Sequence, residues 1–219
     1  MRLISTALLA AAIGLIAWEA GAQEANSDGT LELGLWKRLN AREMLYLPMS
    51  ITRSGETDHA EALVGISYDR KFSHGLSARA GYRYLWELSH AEGETPYREH
   101  RGVGELFVRP WEGAMVELLD RTRLELRLVD HVYSWRLKNR LRGAKVVSRR
   151  GGQTVAPYGA FEAGYDSRYR TINRVRATLG VATRFTSRVM VDAYTARQRD
   201  SREAPTGQSI GVTVNLTRQ

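Results

Sequence analysis

Residues 121–128 read RTRLELRL and residues 135–142 read WRLKNRLR, so that charge and leucine alternate residue by residue. A period of two is the signature of a strand with two different faces, because successive side chains leave an extended backbone on opposite sides. Arg121, Arg123, Glu125 and Arg127 fall on one face, Thr122, Leu124, Leu126 and Leu128 on the other. The next run repeats this, with Arg136, Lys138, Arg140 and Arg142 set against Trp135, Leu137, Asn139 and Leu141. Further on, Arg174 and Arg176 oppose Val175, Ala177, Leu179 and Val181.

The alternation runs through most of the chain. Leu31, Leu33 and Leu35 form one row; Leu45, Leu47, Met49 and Ile51 a second; Ala60, Ala62, Val64 and Ile66 a third; and Leu76, Ala78, Ala80, Tyr82, Tyr84 and Trp86 a fourth. Strands follow over 98–108, 114–129, 132–147, 153–166, 171–185, 188–199 and 207–218. Arg53-Ser54-Gly55, Ser73-His74-Gly75, Pro110-Trp111-Glu112-Gly113, Arg150-Gly151-Gly152 and Ala204-Pro205-Thr206-Gly207 punctuate them as turns. From Thr30 onward no helical period competes. The expected fold is all-β, a single antiparallel meander without a second domain.

Strand length decides between two kinds of meander. Many runs reach ten residues or more, longer than the usual five or six of soluble sheets and close to the nine to eleven that cross a bilayer. The charged face points the same way. An Arg facing lipid at mid-depth costs about 2 to 4 kcal/mol, so a barrel must turn its Arg rows into the lumen and its leucines outward. The expected lumen-lining network is Glu99, Arg101 and Glu105, then Arg121, Arg123, Glu125 and Arg127, then Arg136, Lys138, Arg140 and Arg142, with Glu162, Arg174, Arg176 and Asp192. Aromatic side chains near strand ends, Tyr82, Tyr84, Trp86, Tyr133, Trp135, Tyr165 and Phe185, suit interfacial girdles at both rims. The count of strands is eleven, whereas single-chain bacterial barrels normally have an even number. The first run, 30–39, therefore points the wrong way unless it lies outside the wall or another strand is hidden, which leaves ten to twelve strands.

The N-terminus sets the compartment. Arg2, an apolar run from Leu3 to Trp18 and the small-x-small Ala20-Gly21-Ala22 read as a secretory signal over 1–22, with the mature barrel over 23–219. The chain has no cysteine, so stability in an exported protein must come from closed hydrogen bonding and packing. No spacing of His or Cys suggests a metal, and no cofactor is expected.

A net charge of +8 over 219 residues raises the question of nucleic acid. Binding there needs an accessible basic surface, often with stacking aromatics; here the cations alternate with leucine in an exported chain, and no nucleic-acid partner is expected. His131 with Ser134 and Asp130 is the nearest approach to a hydrolytic set. Asp130 and His131 are neighbours at a turn and no second motif supports them, so no catalytic residue is assigned. His100, between Glu99 and Arg101, faces the opposite side from both, toward lipid or a rim.

Glu99-His100-Arg101, Arg121-Thr122-Arg123-Leu124-Glu125-Leu126-Arg127, Arg140-Leu141-Arg142, Pro157-Tyr158 with Phe161-Glu162, Asn173-Arg174-Val175, and Gly81-Tyr82-Arg83-Tyr84 occur in an order and spacing that resembles the "domain of unknown function 2490" proteins. The resemblance covers about 35–218. It implies an exported β-barrel of the bacterial outer membrane, in contact with outer-membrane lipid and lipopolysaccharide and inserted by the barrel-assembly machinery. It implies no activity. The expected function is structural, or that of a narrow, weakly anion-preferring channel; the contrasting readings are a lipid-modifying barrel enzyme and a soluble periplasmic β-protein.

Overall fold

A computed structural model describes residues 27–55, 59–89, 96–112, 116–148, 153–200 and 207–218. The expected signal segment 1–22 lies outside them. Every regular element is a strand: β1 (Ser27–Arg38), β2 (Glu43–Arg53), β3 (Ala60–Lys71), β4 (Leu76–Ser89), β5 (Arg98–Glu112), β6 (Val116–Val129), β7 (Val132–Lys145), β8 (Val147–Ser148), β9 (Thr154–Asp166), β10 (Thr171–Arg184), β11 (Val189–Asp200) and β12 (Gly207–Arg218). β8 resumes the β7 strand after one residue and pairs with the start of β9. The wall thus has eleven staves. Pairing runs in chain order from β1 to β7, through β9 to β12, and β12 returns to β1, closing the barrel without an edge.

The odd strand is neither hidden nor outside the wall. β1 lies parallel to β12, with Leu31 beside Val212 and Leu35 beside Leu216, while every other neighbouring pair is antiparallel. An all-antiparallel meander of eleven strands cannot close on itself, and one parallel seam resolves the mismatch. The expectation of a purely antiparallel barrel is corrected at this seam. β1 starts and β12 ends at opposite rims as a result, here called the N-terminal and C-terminal rims. At the C-terminal rim the connections are 39–42, 72–75, 113–115, 149–153 and 185–188; at the N-terminal rim they are 54–59, 90–97, 130–131, 167–170 and 201–206.

Local sequence explains the tightest of these. Asp130 and His131 alone join β6 to β7, with φ of 46° and 68°. Positive φ at both central residues matches the right-handed twist of the flanking strands, and Asp and His tolerate it better than most side chains. Strand boundaries elsewhere follow the alternation to within a few residues. β5 runs on to Glu112, past the expected stop at 108, after an irregularity between Val108 and Trp111.

The two faces invert the arrangement of a soluble protein. Leu124, Leu126 and Leu128 of β6 are 40%, 45% and 42% exposed, whereas Glu99, Glu125 and Asp166 are completely buried. Val64, Ile66, Leu106, Leu137, Leu141, Phe161 and Leu179 extend the outward apolar surface around the wall. The outside also carries polar groups, Arg197 and Arg199 of β11 being exposed on it. Asn139 donates to both Asp120 oxygens at 3.0 and 3.2 Å and to Thr122 at 3.1 Å, so this outward trio satisfies its own hydrogen bonds.

Candidate functional site: the charged lumen

Because strand parity sends alternate residues inward, the β4 to β7 and β9 to β11 ladders stack their charges inside. All fifteen side chains expected to line the interior point there. Register then decides who meets whom. Cations stand directly opposite one another in four places: Arg83 beside Arg101, Arg101 beside Arg127, Arg123 beside Lys138 and Arg121 beside Arg140. Such pairs repel, so carboxylates reaching diagonally from neighbouring positions have to hold them.

Toward the N-terminal rim this compensation is dense. Glu99 accepts from Arg127 Nε at 2.6 Å and Nη2 at 2.8 Å, from Arg101 Nε at 2.7 Å, and from the hydroxyl of Tyr97. Asp166 accepts from Arg136 at 2.7 and 3.0 Å and from the backbone N–H of Arg168 at 3.0 Å, with Arg127 Nη1 at 3.6 Å. Glu125 accepts from Lys138 Nζ at 3.0 Å and faces Arg123 Nη1 at 3.5 Å. Arg174 reaches Asp200 at 3.3 Å. Forked, charge-assisted bonds of this kind are short and strong, and they tie the inner faces of β5, β6, β7 and β9 to one another and β10 to β11. Tyr97, in the connection before β5, is pushed up to about 12 by burial and by the hydrogen bond it gives Glu99.

Midway along the barrel one carboxylate serves four cations. Glu105 faces Arg123 at 2.7 Å, Arg79 at 3.2 Å, Arg121 at 3.7 Å and Arg83 at 3.9 Å. From here toward the C-terminal rim the interior opens into a cavity of about 310 Å³, lined by seven cations and only three carboxylates, Glu32, Glu162 and Asp192. A smaller cavity of about 140 Å³ shares Arg121, Arg140 and Asp192 with it and adds Arg142 and Leu119.

Three tyrosines shape the chamber. Tyr158 stands opposite Gly180, Tyr194 opposite Gly211, and Tyr46 lies against Gly34. A Cβ on Gly180 would come within 2.6 Å of the Tyr158 ring, so the glycines let the rings lie flat on the wall and leave space in the middle. Tyr158 donates to Asp192 at 3.2 Å and Tyr46 to Glu32 at 3.0 Å. Arg142 stacks 4.0 Å over the Tyr158 ring and Arg176 5.7 Å over that of Tyr194. Arg79 sits 4.8 to 4.9 Å from the rings of Trp36, Tyr46 and Phe107, which close the wall beside it.

The sequence reading missed Arg79, Arg83, Glu32 and the three tyrosines. Arg79 and Arg83 carried the same signal as the others, since they alternate with the Ala78, Ala80, Tyr82 and Tyr84 row; the inward tyrosines did not, because an aromatic suits either face. The girdle residues are distributed unevenly. Tyr84, Trp86, Tyr133, Trp135 and Tyr165 face outward toward the N-terminal rim, with Trp135 stacked on Tyr165 at 5.3 Å and Tyr84 on Trp86 at 5.5 Å. Tyr82 faces outward nearer mid-height, and Phe185 alone of the seven belongs to the C-terminal rim, where Tyr68, Phe72 and Trp111 are also exposed. His100 faces outward, in contact with the Tyr82 hydroxyl at 2.5 Å.

The hydrolytic set of His131, Ser134 and Asp130 is not assembled. His131 is exposed in its turn, Ser134 is buried on the inward face with its hydroxyl unpartnered, and no hydrogen bond joins either to the other or to Asp130 among the described residues.

Residues 36–209 match the family described as "Protein of unknown function (DUF2490)". No curated protein matches the sequence.

Proposed function

The chain belongs to the DUF2490 family, and from that premise we propose that it is an outer-membrane barrel that does not conduct at rest: a structural wall closed near one rim by ion pairs, with a cationic chamber behind. The observation that carries the reading is the inverted face pattern, with leucines 40% to 45% exposed on β6 and three carboxylates fully buried inside. In water those leucines would be a large unpartnered apolar surface. Against hydrocarbon they are matched, and the absence of any sheet edge satisfies the backbone as a bilayer requires.

Shorter connections gather at the C-terminal rim, which we place on the periplasmic side, and 90–97 and 201–206 at the outer one. The two-residue Asp130–His131 turn is an exception on the outer side. The network of Glu99, Arg127, Arg136 and Asp166 then lies toward the outside and the chamber toward the periplasm. A narrow anion-preferring pore is the second reading, and the cationic excess of the chamber favours it if the network opens.

Fractionation and electrical recording test this together. The protein is expected in the outer-membrane fraction with heat-dependent gel mobility, and to leave a planar bilayer without stepwise conductance. Recovery in the soluble periplasm ends the membrane reading; steady anion-selective steps in the wild-type protein replace the closed barrel by the pore.

A further inference from the structure

The chamber holds more positive charge than its surroundings cancel. Eight cations line the two joined cavities. Against them stand the three lining carboxylates and three more that reach in as ion-pair partners, Asp69, Glu105 and Glu125. Two positive charges are left over. The excess is localised: Arg140, Arg142 and Arg176 have no carboxylate within 4 Å among the described residues, and Arg83 has only Glu105 at 3.9 Å.

Register makes this unexpected. Glu162 stands directly opposite Arg140 on one side and Arg176 on the other. Yet it accepts from Arg121 at 2.7 Å, two strands away, and leaves both neighbours. Arg176 turns to the hydroxyl of Ser209 at 3.1 Å instead. The Nε groups of Arg83, Arg121 and Arg142 are buried without a partner. Buried guanidiniums with few carboxylate partners are costly, and those of Arg83, Arg140 and Arg176 line one cavity, where their forked donors suit an oxyanion.

We propose that the chamber binds a phosphate group, entering from the C-terminal rim past Arg142 and held between Arg83, Arg140 and Arg176. A tetrahedral dianion matches the two surplus charges and offers several acceptor oxygens to the guanidiniums that line the chamber. The strand wall encloses the chamber on all sides, so a free phosphate or a soluble phosphoryl compound reaches it more directly than a lipid headgroup does. Asp192, with one oxygen unpartnered, sits at the edge of the site and selects against anions that cannot tolerate a neighbouring carboxylate. The site stands on the lumen geometry and deepens the closed-barrel reading; its test is independent of conductance and of membrane location.

Purified full-length barrel in a non-ionic detergent is titrated calorimetrically with inorganic phosphate, and separately with a short-chain phosphatidic acid. Saturable binding of inorganic phosphate at one site per barrel is expected. Arg140→Gln and Arg176→Gln should each weaken it about tenfold, the worth of one charge-assisted hydrogen bond. Arg188→Gln, an equal change of charge in the 185–188 turn, should leave it unaltered. Heat-dependent mobility of each variant confirms that it folds. Saturation by phosphatidic acid alone, abolished in the same two variants, keeps the phosphoryl chemistry and assigns its source to lipid. No saturable binding of either, or equal loss in Arg188→Gln, overturns the proposal, while a conducting barrel that still binds phosphate would overturn only the closed-barrel reading.

Discussion

The β7–β9 ladder contains the same charge pair twice, with opposite outcomes. Arg136 stands opposite Asp166 and donates to it at 2.7 and 3.0 Å; four residues along, Arg140 stands opposite Glu162 and makes no ion pair with it. The first pair belongs to the network near the N-terminal rim, where each carboxylate gathers its cations. The second belongs to the chamber, where Glu162 is drawn across to Arg121. The difference shows that strand parity places a charge in the lumen, whereas the population of the whole cross-section decides whether it is neutralised there. On the proposed reading the paired region closes the barrel and the under-paired region receives the anion.

The largest expected effect comes from breaking the paired half. Glu99→Ala leaves Arg101 without its ion-pair partner, and the neighbouring Arg127 with Asp166 at 3.6 Å as its remaining counter-charge. Removing one partner of a buried pair costs about 3 to 5 kcal/mol, to be read from urea-induced unfolding in lipid vesicles. A loss under about 1 kcal/mol would erase the contrast between the halves.

Next comes the ligand. Phosphate at a hundredfold its dissociation constant should stabilise the wild-type barrel by about 2.7 kcal/mol. In the same unfolding measurement the Arg140→Gln, Arg176→Gln double variant should gain little at that phosphate concentration. Equal stabilisation of both proteins would show that phosphate acts elsewhere.

Glycines sharpen the comparison on steric grounds. In the chamber, a Cβ at Gly180 would crowd the Tyr158 ring at 2.6 Å, and that ring is held by Asp192 and Arg142. In the paired half, a Cβ at Gly164 would meet Lys138 and Arg174 at 3.5 and 3.7 Å, ordinary contact distances. Gly180→Ala should therefore cost about 1 to 3 kcal/mol and weaken phosphate binding as the ring moves into the cavity. Gly164→Ala should be close to neutral in both assays. The reverse order would mean that the tyrosines do not define the chamber.

Much of this was legible in the chain. Alternation over 121–142 gives two strands, their inward and outward faces and the turn between them, because in a closed wall with one polar and one apolar side the period leaves no freedom. Three things were not legible, for physical reasons. The parallel seam of β1 with β12 depends on an odd number of staves, a property of the closed ring that no local run encodes. The split between plug and chamber depends on diagonal reach: Glu162 flanked by Arg140 and Arg176 reads as neutralised in any linear or registered view, until Arg121 is seen to reach it from two strands away. The inward tyrosines escaped for a third reason, that a ring over a glycine is recognised only when both strands are aligned.

The smallest effect is the most discriminating, because the two halves predict opposite signs. Arg121 and Arg140 stand directly opposite in the β6–β7 ladder, and Arg121 alone has its carboxylate. Like charges so placed destabilise by roughly 0.2 to 1 kcal/mol. Without phosphate, Arg140→Gln should therefore raise stability by that amount, while the matched change Arg136→Gln in the paired half should lower it by leaving the buried Asp166 short of its closest donor. Unfolding both in phosphate-free buffer reads the two signs side by side. Were Arg140→Gln to cost as much as Arg136→Gln, Arg140 would have to be neutralised in the folded lumen, and the chamber would hold no unclaimed charge for an anion to meet.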